Sequence, residues 1–302
     1  MSIRLDGRVA IVTGSGQGLG RSHALALASR GAKVVVNDLA GADGRCTSAK
    51  SVVAEIVDAG GKAMANGADV ANFGQVEDMV QKTVEKWGRV DILVNNAGIL
   101  RDKTFSKMSL DDFRLVLDVH LMGSVHCTKA VWEIMREQSY GRIVFTTSSS
   151  GLYGNFGQSN YSAAKMAMVG LMNTLHLEGN KYNINVNCLA PTAGTAMTDG
   201  LLSREVYDLL TPETVSPGVI FLVGPDAPSR TVLGAGGGSF AVFKGYETDG
   251  INLLPDRLSA EGVAEAWDAI NSEDGMRQLK GAFEQTGKFA MKGAANLGLD
   301  VS

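Results

Sequence analysis

The chain has 302 residues, of which 45% are hydrophobic and 20% are charged, with a formal net charge of −4 at pH 7. The apolar fraction is that of a folded protein, which excludes bulk disorder, and the mild acidity excludes the clustered basic surface that binds nucleic acid. The three cysteines, Cys46, Cys127 and Cys188, are widely separated and form no CxxC pair. We therefore expect neither a disulfide framework nor a metal site.

Short apolar strands alternate with helical stretches along the first two thirds of the chain. The predicted strands cover residues 9–13, 33–37, 62–69, 90–95, 142–147 and 184–189. The predicted helices cover residues 22–30, 47–59, 75–87, 111–137 and 159–178. Strands separated by helices of this length pair in parallel through right-handed crossovers, and the helices cover both sheet faces. The sequence therefore predicts an α/β fold with a single Rossmann-type, doubly wound parallel sheet.

This alternation loosens after residue 190. Residues 211–229 contain several prolines, residues 232–243 form a glycine-rich strand candidate, and residues 259–282 have a helical pattern. We expect one domain over residues 1–245. The rest, 246–302, is too short, and too polar after Ala282, for an independent core. We expect it to be a C-terminal helical extension that packs on the domain or on a partner subunit.

A glycine-rich loop joins the first predicted strand to the first helix. Its pattern, Thr13-Gly14-x3-Gly18-x-Gly20, is a variant of the dinucleotide-binding fingerprint. Glycines at such a position let the backbone approach a pyrophosphate, and the helix N-terminus supplies N–H donors. A flexible turn is the alternative, which the strand-loop-helix context disfavours. The cofactor contacts predicted in this loop are Gly14, Ser15, Gln17, Gly18, Leu19 and Gly20.

Asp38 ends the second predicted strand, where a carboxylate can bind both hydroxyls of an adenosine ribose and repel a 2′-phosphate. NAD is therefore favoured over NADP as the cofactor. Arg45 is the nearby cation that argues for NADP, and a helix N-cap is the structural alternative for Asp38. Asp69 and Val70, at the end of the third strand, are placed to contact the adenine.

The sharpest chemical pattern is Tyr161-x3-Lys165, whose two side chains are neighbours on one face of a helix. An ammonium group beside a phenol lowers its pKa and fits it for acid–base work near neutral pH. Such a pair also occurs by chance in many helices. Here, however, Ser148 lies directly after a predicted strand, and its hydroxyl can hold a substrate oxygen beside the phenol.

Together with Asn95-Asn96-Ala97-Gly98, these motifs resemble the short-chain dehydrogenase/reductase family over about residues 5–200. The resemblance implies that Tyr161 is the general acid and base, that Ser148 polarises the substrate oxygen, and that Lys165 binds the nicotinamide ribose and lowers the tyrosine pKa. The further cofactor contacts that it implies are Asn96, Ala97, Gly98, Tyr161, Lys165, Pro191, Thr195 and Met197.

Four segments, 96–102, 118–124, 151–158 and 191–198, are similar to one subfamily within it. This is the (3R)-hydroxyacyl-CoA dehydrogenase unit of the peroxisomal multifunctional β-oxidation enzyme and its stand-alone bacterial relatives. The similarity implies NAD-dependent oxidation of a 3-hydroxyacyl-CoA by a homodimer or homotetramer. Many family members carry a catalytic asparagine on the central helix. His120 stands at the matching position, either to hold a water or relay a proton, or as a core histidine.

Other interpretations stay open at this point. The substrate can instead be another hydrophobic alcohol, as for an NAD-dependent hydroxysteroid or sterol side-chain dehydrogenase, or the chain can bind a nucleotide without turnover. Reduction of a 3-oxoacyl carrier protein is disfavoured by Asp38. The cations that follow the Asn95–Gly98 motif, Arg101, Lys103 and Lys107, are either a solvated cluster or contacts to coenzyme A phosphates. The charged N-terminus and short apolar runs predict a cytoplasmic protein without a membrane partner.

Overall fold

The computed structural model describes residues 2–194 and 203–299. The chain divides into two compact units, Met1–Val242 and Phe243–Ser302. None of the helices in the described ranges combines the length and apolar character needed to cross a membrane.

One eight-stranded sheet forms the first unit, in the order β3-β2-β1-β4-β5-β6-β7-β8. The strands are β1 (Val9–Val12), β2 (Lys33–Asn37), β3 (Lys62–Asn66), β4 (Ile92–Asn95), β5 (Gly141–Thr146), β6 (Ile184–Pro191), β7 (Val232–Gly236) and β8 (Ser239–Phe243). Strands β1 to β7 pair in parallel. The chain order reverses between β1 and β4, and in such sheets ligands bind beyond the carboxyl ends of the strands at this point.

The helices follow the same alternation. They are α1 (Gly18–Ser29), α2 (Thr47–Asp58), α3 (Phe73–Trp87), α4 (Leu110–Leu117), α5 (Gly123–Gln138), α6 (Ser149–Tyr153), α7 (Ser159–Gly179), α8 (Arg204–Leu209), α9 (Ser216–Leu222), α10 (Ala260–Glu265), α11 (Trp267–Ile270) and α12 (Ala282–Leu297). Short 3₁₀ turns lie at Phe105–Lys107, Asn180–Tyr182, Pro212–Thr214 and Pro255–Arg257.

The central strands of the sheet are buried on both faces, as their continuous apolar sequences predict. Every residue of β1, β4 and β5 is buried, although consecutive side chains point to opposite faces. Helix α1 packs against α2 and α9, and α3 packs against α5. The predicted Rossmann-type, doubly wound sheet is therefore confirmed.

Several predicted boundaries were wrong. Helix α1 begins at Gly18 rather than near residue 22. Residues 232–243 form two strands, not one. Gly237 and Gly238, with φ of 56° and 75°, turn the chain back in a two-residue loop that glycine adopts without strain. The predicted helix over 111–137 is divided by a π-helical turn, Asp118–Met122.

The second unit places its long helix later than the sequence predicted. The sequence predicts a helical pattern over residues 259–282, whereas the long helix α12 begins at Ala282. Two of its lysines are covered: Lys288 is buried and paired with Glu247, and half-buried Lys292 has its Nζ 2.6 Å from Asp249. Ion pairs within the unit therefore stabilise a helix that an apolar stripe alone does not predict.

Candidate active site

Glycines hold the loop after β1 in a shape that no other residue allows. Gly14 has φ 59°, and a Cβ there would lie 2.7 Å from Cα of Ala97. A Cβ on Gly20 would lie 2.2 Å from the Gly14 carbonyl oxygen. Asn96 Nδ2 donates to the carbonyl oxygens of Thr13 at 3.0 Å and of Gly14 at 2.9 Å. The loop is therefore fixed at the N-terminus of α1, where free N–H groups favour an anion.

The predicted loop contacts are not equivalent. Gln17 and Gly18 are exposed and Leu19 is half-buried, so all three are accessible. Ser15 is fully buried, its hydroxyl donates to Val12 O at 2.7 Å, and its N–H donates to Asn37 O at 2.8 Å. Both donors of Ser15 are used within the protein, so its contribution to the loop is structural.

Asp38 stands directly over this loop. A Cβ on Gly16 would lie 2.0 Å from Asp38 Oδ2, so the carboxylate fills the space that a side chain would take. Ser48, in the first turn of α2, donates to Oδ2 at 2.8 Å, and the Leu39 N–H donates to Oδ1 at 3.1 Å. Both carboxylate oxygens are therefore held toward the glycine loop. The residue that caps α2 is Cys46, which removes the N-cap alternative for Asp38.

Sequence reasoning missed Ser48, whose only signal is a hydroxyl at the start of the helix after Asp38. The cation weighed in favour of NADP, Arg45, lies 3.6 Å from Asp43 and is 76% exposed. The two residues form an exposed ion pair, which contributes little to stability.

The third strand ends before the residues predicted to contact adenine. Strand β3 ends at Asn66, so Asp69 and Val70 lie in the loop beyond it. The Asp69 carboxylate accepts from the Ala71 N–H at 2.9 Å, and His126 Nδ1 lies 2.9 Å from Val70 O. This loop is thus pinned to α5 by His126, a contact that the sequence did not indicate.

Three predicted catalytic side chains converge at the carboxyl end of β5. Ser148 is the N-cap of α6, and its hydroxyl acts on the Tyr161 phenol, whose pKa it lowers. Lys165 Nζ lies 5.4 Å from the Tyr161 ring centre and donates to Thr146 O at 2.6 Å. The Thr147 hydroxyl donates to Lys165 O at 2.6 Å, which ties α7 to the end of β5.

The pKa values at this site differ from the expectation. Burial raises the pKa of Tyr161, the Ser148 hydrogen bond lowers it, and the charge of Asp102 raises it. The Lys165 amine donates to Thr146 O, and its predicted lowering of the tyrosine pKa stays a prediction. Burial lowers the pKa of Lys165 itself to about 7. A lysine in this state exchanges a proton readily near neutral pH.

His120 lies in the π-helical turn and contacts Tyr161. The two rings meet edge to face with centres 5.2 Å apart. Nε2 lies 2.8 Å from Ile99 O and 3.0 Å from Ile99 N, and Nδ1 is buried with no partner among the described residues. Burial, with the Lys165 charge, lowers the His120 pKa to about 3, so the ring is neutral. Gly98 leaves the space for it, since a Cβ there would lie 2.2 Å from the ring.

Two of the three cations after Gly98 are paired within the protein. Arg101 Nε lies 3.9 Å and Lys103 Nζ 3.3 Å from the carboxylate of Asp112. Lys107 is exposed at the end of a 3₁₀ turn. Contact of these cations with coenzyme A phosphates stays a prediction.

Pro191 ends β6, where its neighbour Thr192 donates its N–H to Ala235 O at 2.8 Å. Thr195 and Met197 lie outside the described residues. Within the described ranges, His, Cys, Asp and Glu side chains form no group that could hold a metal ion.

The family follows from a comparison with known proteins. A family model described as short chain dehydrogenase matches residues 8–205. The chain is a member of this family. A short-chain type dehydrogenase/reductase of Mycobacterium tuberculosis is 48% identical over 275 residues, which are 89% of this chain and 96% of that protein. The mouse peroxisomal multifunctional enzyme type 2 is 48% identical over 81% of this chain, but the match spans only 32% of the mouse enzyme.

Solved structures agree with this assignment. The full-length peroxisomal multifunctional enzyme type 2 of Drosophila melanogaster matches with a TM-score of 0.82 and 37% identity, covering 98% of this chain and 51% of that one. A 7α-hydroxysteroid dehydrogenase complexed with NADH and a 7-oxo bile acid matches with a TM-score of 0.71 and 31% identity, covering 78% and 95%. This short-chain dehydrogenase is therefore an oxidoreductase that acts on a CH–OH group with a nicotinamide cofactor.

Proposed function

We propose that this enzyme oxidises a (3R)-3-hydroxyacyl-CoA to the 3-oxo thioester with NAD. The proposed substrate class is supported by how much of the chain each similar structure covers. The hydroxysteroid dehydrogenase covers 78% of the chain, whereas the multifunctional enzyme covers 98% and so includes the C-terminal unit. A substrate class shared with that enzyme explains why the extra unit is shared as well.

The residues around the glycine loop fit a dinucleotide. The glycines leave room for a pyrophosphate at the N-terminus of α1, and the two held oxygens of Asp38 suit two ribose hydroxyls and repel a 2′-phosphate. This favours NAD over NADP. When bound, the nicotinamide accepts the hydride from the substrate carbon.

The proton is handled by the chain's own residues. The Ser148 hydroxyl holds the substrate oxygen beside Tyr161, whose phenolate takes the hydroxyl proton. Tyr161 passes the proton toward Lys165, whose amine has a pKa of about 7. His120 is neutral, and its free Nδ1 is placed to hold a water that carries the proton onward.

The assembly is a further part of this proposal. Exposed apolar side chains on α7, Met166 and Leu177, suit the homodimer or homotetramer that the sequence predicts. That residues 246–302 are an extension of the catalytic domain rather than an independent domain, and that the enzyme works in the cytoplasm, stay predictions.

The NAD-dependent hydroxysteroid dehydrogenase is the second candidate, because a bile-acid enzyme is among the structural matches. One assay separates the candidates: formation of NADH or NADPH followed by absorbance, with both enantiomers of 3-hydroxyacyl-CoA at several chain lengths beside a hydroxysteroid panel. We expect NADH from the (3R)-thioesters, and none with Tyr161→Phe, which keeps the ring but lacks the acid–base group. Turnover of steroids alone would overturn the substrate proposal. Turnover of no alcohol would favour a nucleotide-binding protein.

A further inference from the structure

Two loops that flank the catalytic tyrosine are joined to each other by hydrogen bonds. The loop after β4 carries Arg101 and Lys103, and the other loop precedes α7. The Lys103 N–H donates to Gly157 O at 2.9 Å, and Asn160 Nδ2 donates to Arg101 O at 3.1 Å. Asn160 is fully buried. The bridge is therefore a fixed part of the fold on the tyrosine side of the site.

The same bridge reaches the catalytic helix itself. Oδ1 of Asn160 accepts from the backbone N–H of Tyr161 at 2.8 Å. One buried amide group thus contacts both the loop after β4 and the first turn of α7. The loop is consequently tied to the start of α7, and the side chain between Arg101 and Lys103 lies near that helix end.

Asp102 is that side chain. Gln158 Nε2 donates to Asp102 Oδ2 at 2.6 Å, and Gln158 Oε1 accepts from Asn155 at 3.0 Å. The carboxylate is exposed but is fixed in position. Its charge is also unneutralised by its neighbours, because Arg101 and Lys103 both turn to Asp112.

We propose that Asp102 is a positioning residue that shifts the pH range in which Tyr161 works, with Gln158 holding its carboxylate at the start of α7 and Asn160 tying the backbone of its loop to the same helix end. The other groups facing the phenol come from different elements. They are Lys165 on α7, neutral His120 on the π-helical turn, and uncharged Ser148 after β5. Asp102 is the negative charge in this set. The inference rests on the proposed role of Tyr161 as the base but not on the identity of the substrate.

The direction of the effect follows from electrostatics. A negative charge disfavours a nearby phenolate, and Asp102 accordingly raises the pKa of Tyr161. Loss of that charge lowers the tyrosine pKa. Since the phenolate is the working form in oxidation, the acid limb of the pH–rate profile then moves to lower pH.

The test compares Asp102→Asn with wild type in oxidation assays across pH, using whichever alcohol the enzyme turns over. Asparagine keeps an oxygen that can accept from Gln158 and removes only the charge. We expect the variant to reach the same plateau rate as wild type. On the acid limb of the pH–rate profile its turnover should be about two-fold faster, which is the effect that a solvent-screened surface charge allows. High salt should move the wild-type limb toward that of the variant and leave the variant in place.

Asp102→Glu and Asp111→Asn are the matched controls. The first keeps the charge, and the second removes a charge from Asp111, which is 98% exposed on α4. Both variants should keep the acid limb of the wild-type pH–rate profile. An ultraviolet difference titration of Tyr161, taken against Tyr161→Phe, reports the phenol directly and needs no substrate.

A pH profile and titration for Asp102→Asn that overlay wild type would overturn the proposal. So would an equal shift in Asp102→Glu, which would indicate disturbed structure rather than lost charge. If no 3-hydroxyacyl-CoA is oxidised, the titration still tests this inference while the function proposal fails.

Discussion

At the residue scale, the cofactor end of the site depends on a hydroxyl that the motifs do not contain. Asp38 supplies the charge, yet a carboxylate on a loop is free to turn unless its oxygens are bonded. Ser48 binds one oxygen and the Leu39 N–H binds the other. Gly16 leaves the space into which they point. Ser48 therefore pre-organises the acid that favours NAD.

Ser48→Ala tests this arrangement. Without the hydroxyl, Asp38 loses one bond and must be ordered when the cofactor binds. We expect KM for NAD to rise about three-fold and kcat to stay unchanged. A change of about three-fold corresponds to the lower end of the net free energy that one hydrogen bond contributes. Steady-state kinetics with varied NAD measure both quantities.

Ser51→Ala is the matched control, because Ser51 is exposed on the same helix. It should leave KM unchanged. A Ser48→Ala enzyme with wild-type KM for NAD would show that the Leu39 N–H alone holds the acid.

At the element scale, the π-helical turn between α4 and α5 directs a side chain into the site. Asp118 and Gly123, at its two ends, keep right-handed helical backbone, so the helix continues through the turn. The wider turn places His120 against Ile99 and the Tyr161 ring. Such turns often occur at functional sites. A core-histidine role accounts for Nε2 but leaves buried Nδ1 without a partner among the described residues.

His120→Ala and His120→Asn separate the two roles. Both substitutions shorten the side chain, but asparagine keeps a polar group that can hold a water. We expect His120→Ala to lose about ten-fold or more in kcat and His120→Asn to stay within a few-fold of wild type. Since the pKa of His120 is about 3, neither change should remove a limb from the pH–rate profile near neutrality.

The measurement is kcat across pH, with unfolding by urea to show that both variants are folded. Unchanged kcat in His120→Ala would assign His120 to the core. A neutral-pH limb that disappears with the histidine would contradict its depressed pKa.

At the scale of the whole molecule, the sequence predicts what local pattern determines. Short sequence segments are enough to predict the apolar strands and their helices, the glycine loop and the Tyr161–Lys165 pair. The parallel sheet then places Ser148 beside that pair. The missed features depend on contacts between distant segments. Ser48 meets Asp38, Asp102 meets Gln158, and Lys288 meets Glu247 only after folding. The π-helical turn likewise has no local signal.

Two buried histidines make the stability of the whole fold depend on pH. His23 and His120 are both buried, and burial lowers each pKa from 6.5 to about 3. His23 Nδ1 lies 2.8 Å from the Ser216 hydroxyl on α9, and Nε2 has no partner among the described residues. Each ring is neutral in the fold and takes up a proton on unfolding below pH 6.5.

The sign of the effect follows from proton linkage. The folded pKa is depressed, so the stability from each neutral histidine is fully present above about pH 6.5 and is lost as pH falls toward 3. Below pH 6.5 the unfolded chain binds one more proton per histidine, and the free energy of unfolding falls by up to about 1.4 kcal/mol per pH unit for each. Urea unfolding at about pH 7.5, 6.5, 5.5 and 4.5 measures the slope.

His23→Asn removes one of the two protons. It lowers stability at neutral pH, because the cavity between α1 and α9 is less well filled, but it should reduce the slope below pH 6 by about one proton. His176→Asn is the comparison and should reduce the slope by less than His23→Asn, because that histidine is only half-buried; burial and the Arg230 charge lower its pKa too. An unchanged slope in His23→Asn would mean that His23 is not neutral in the fold.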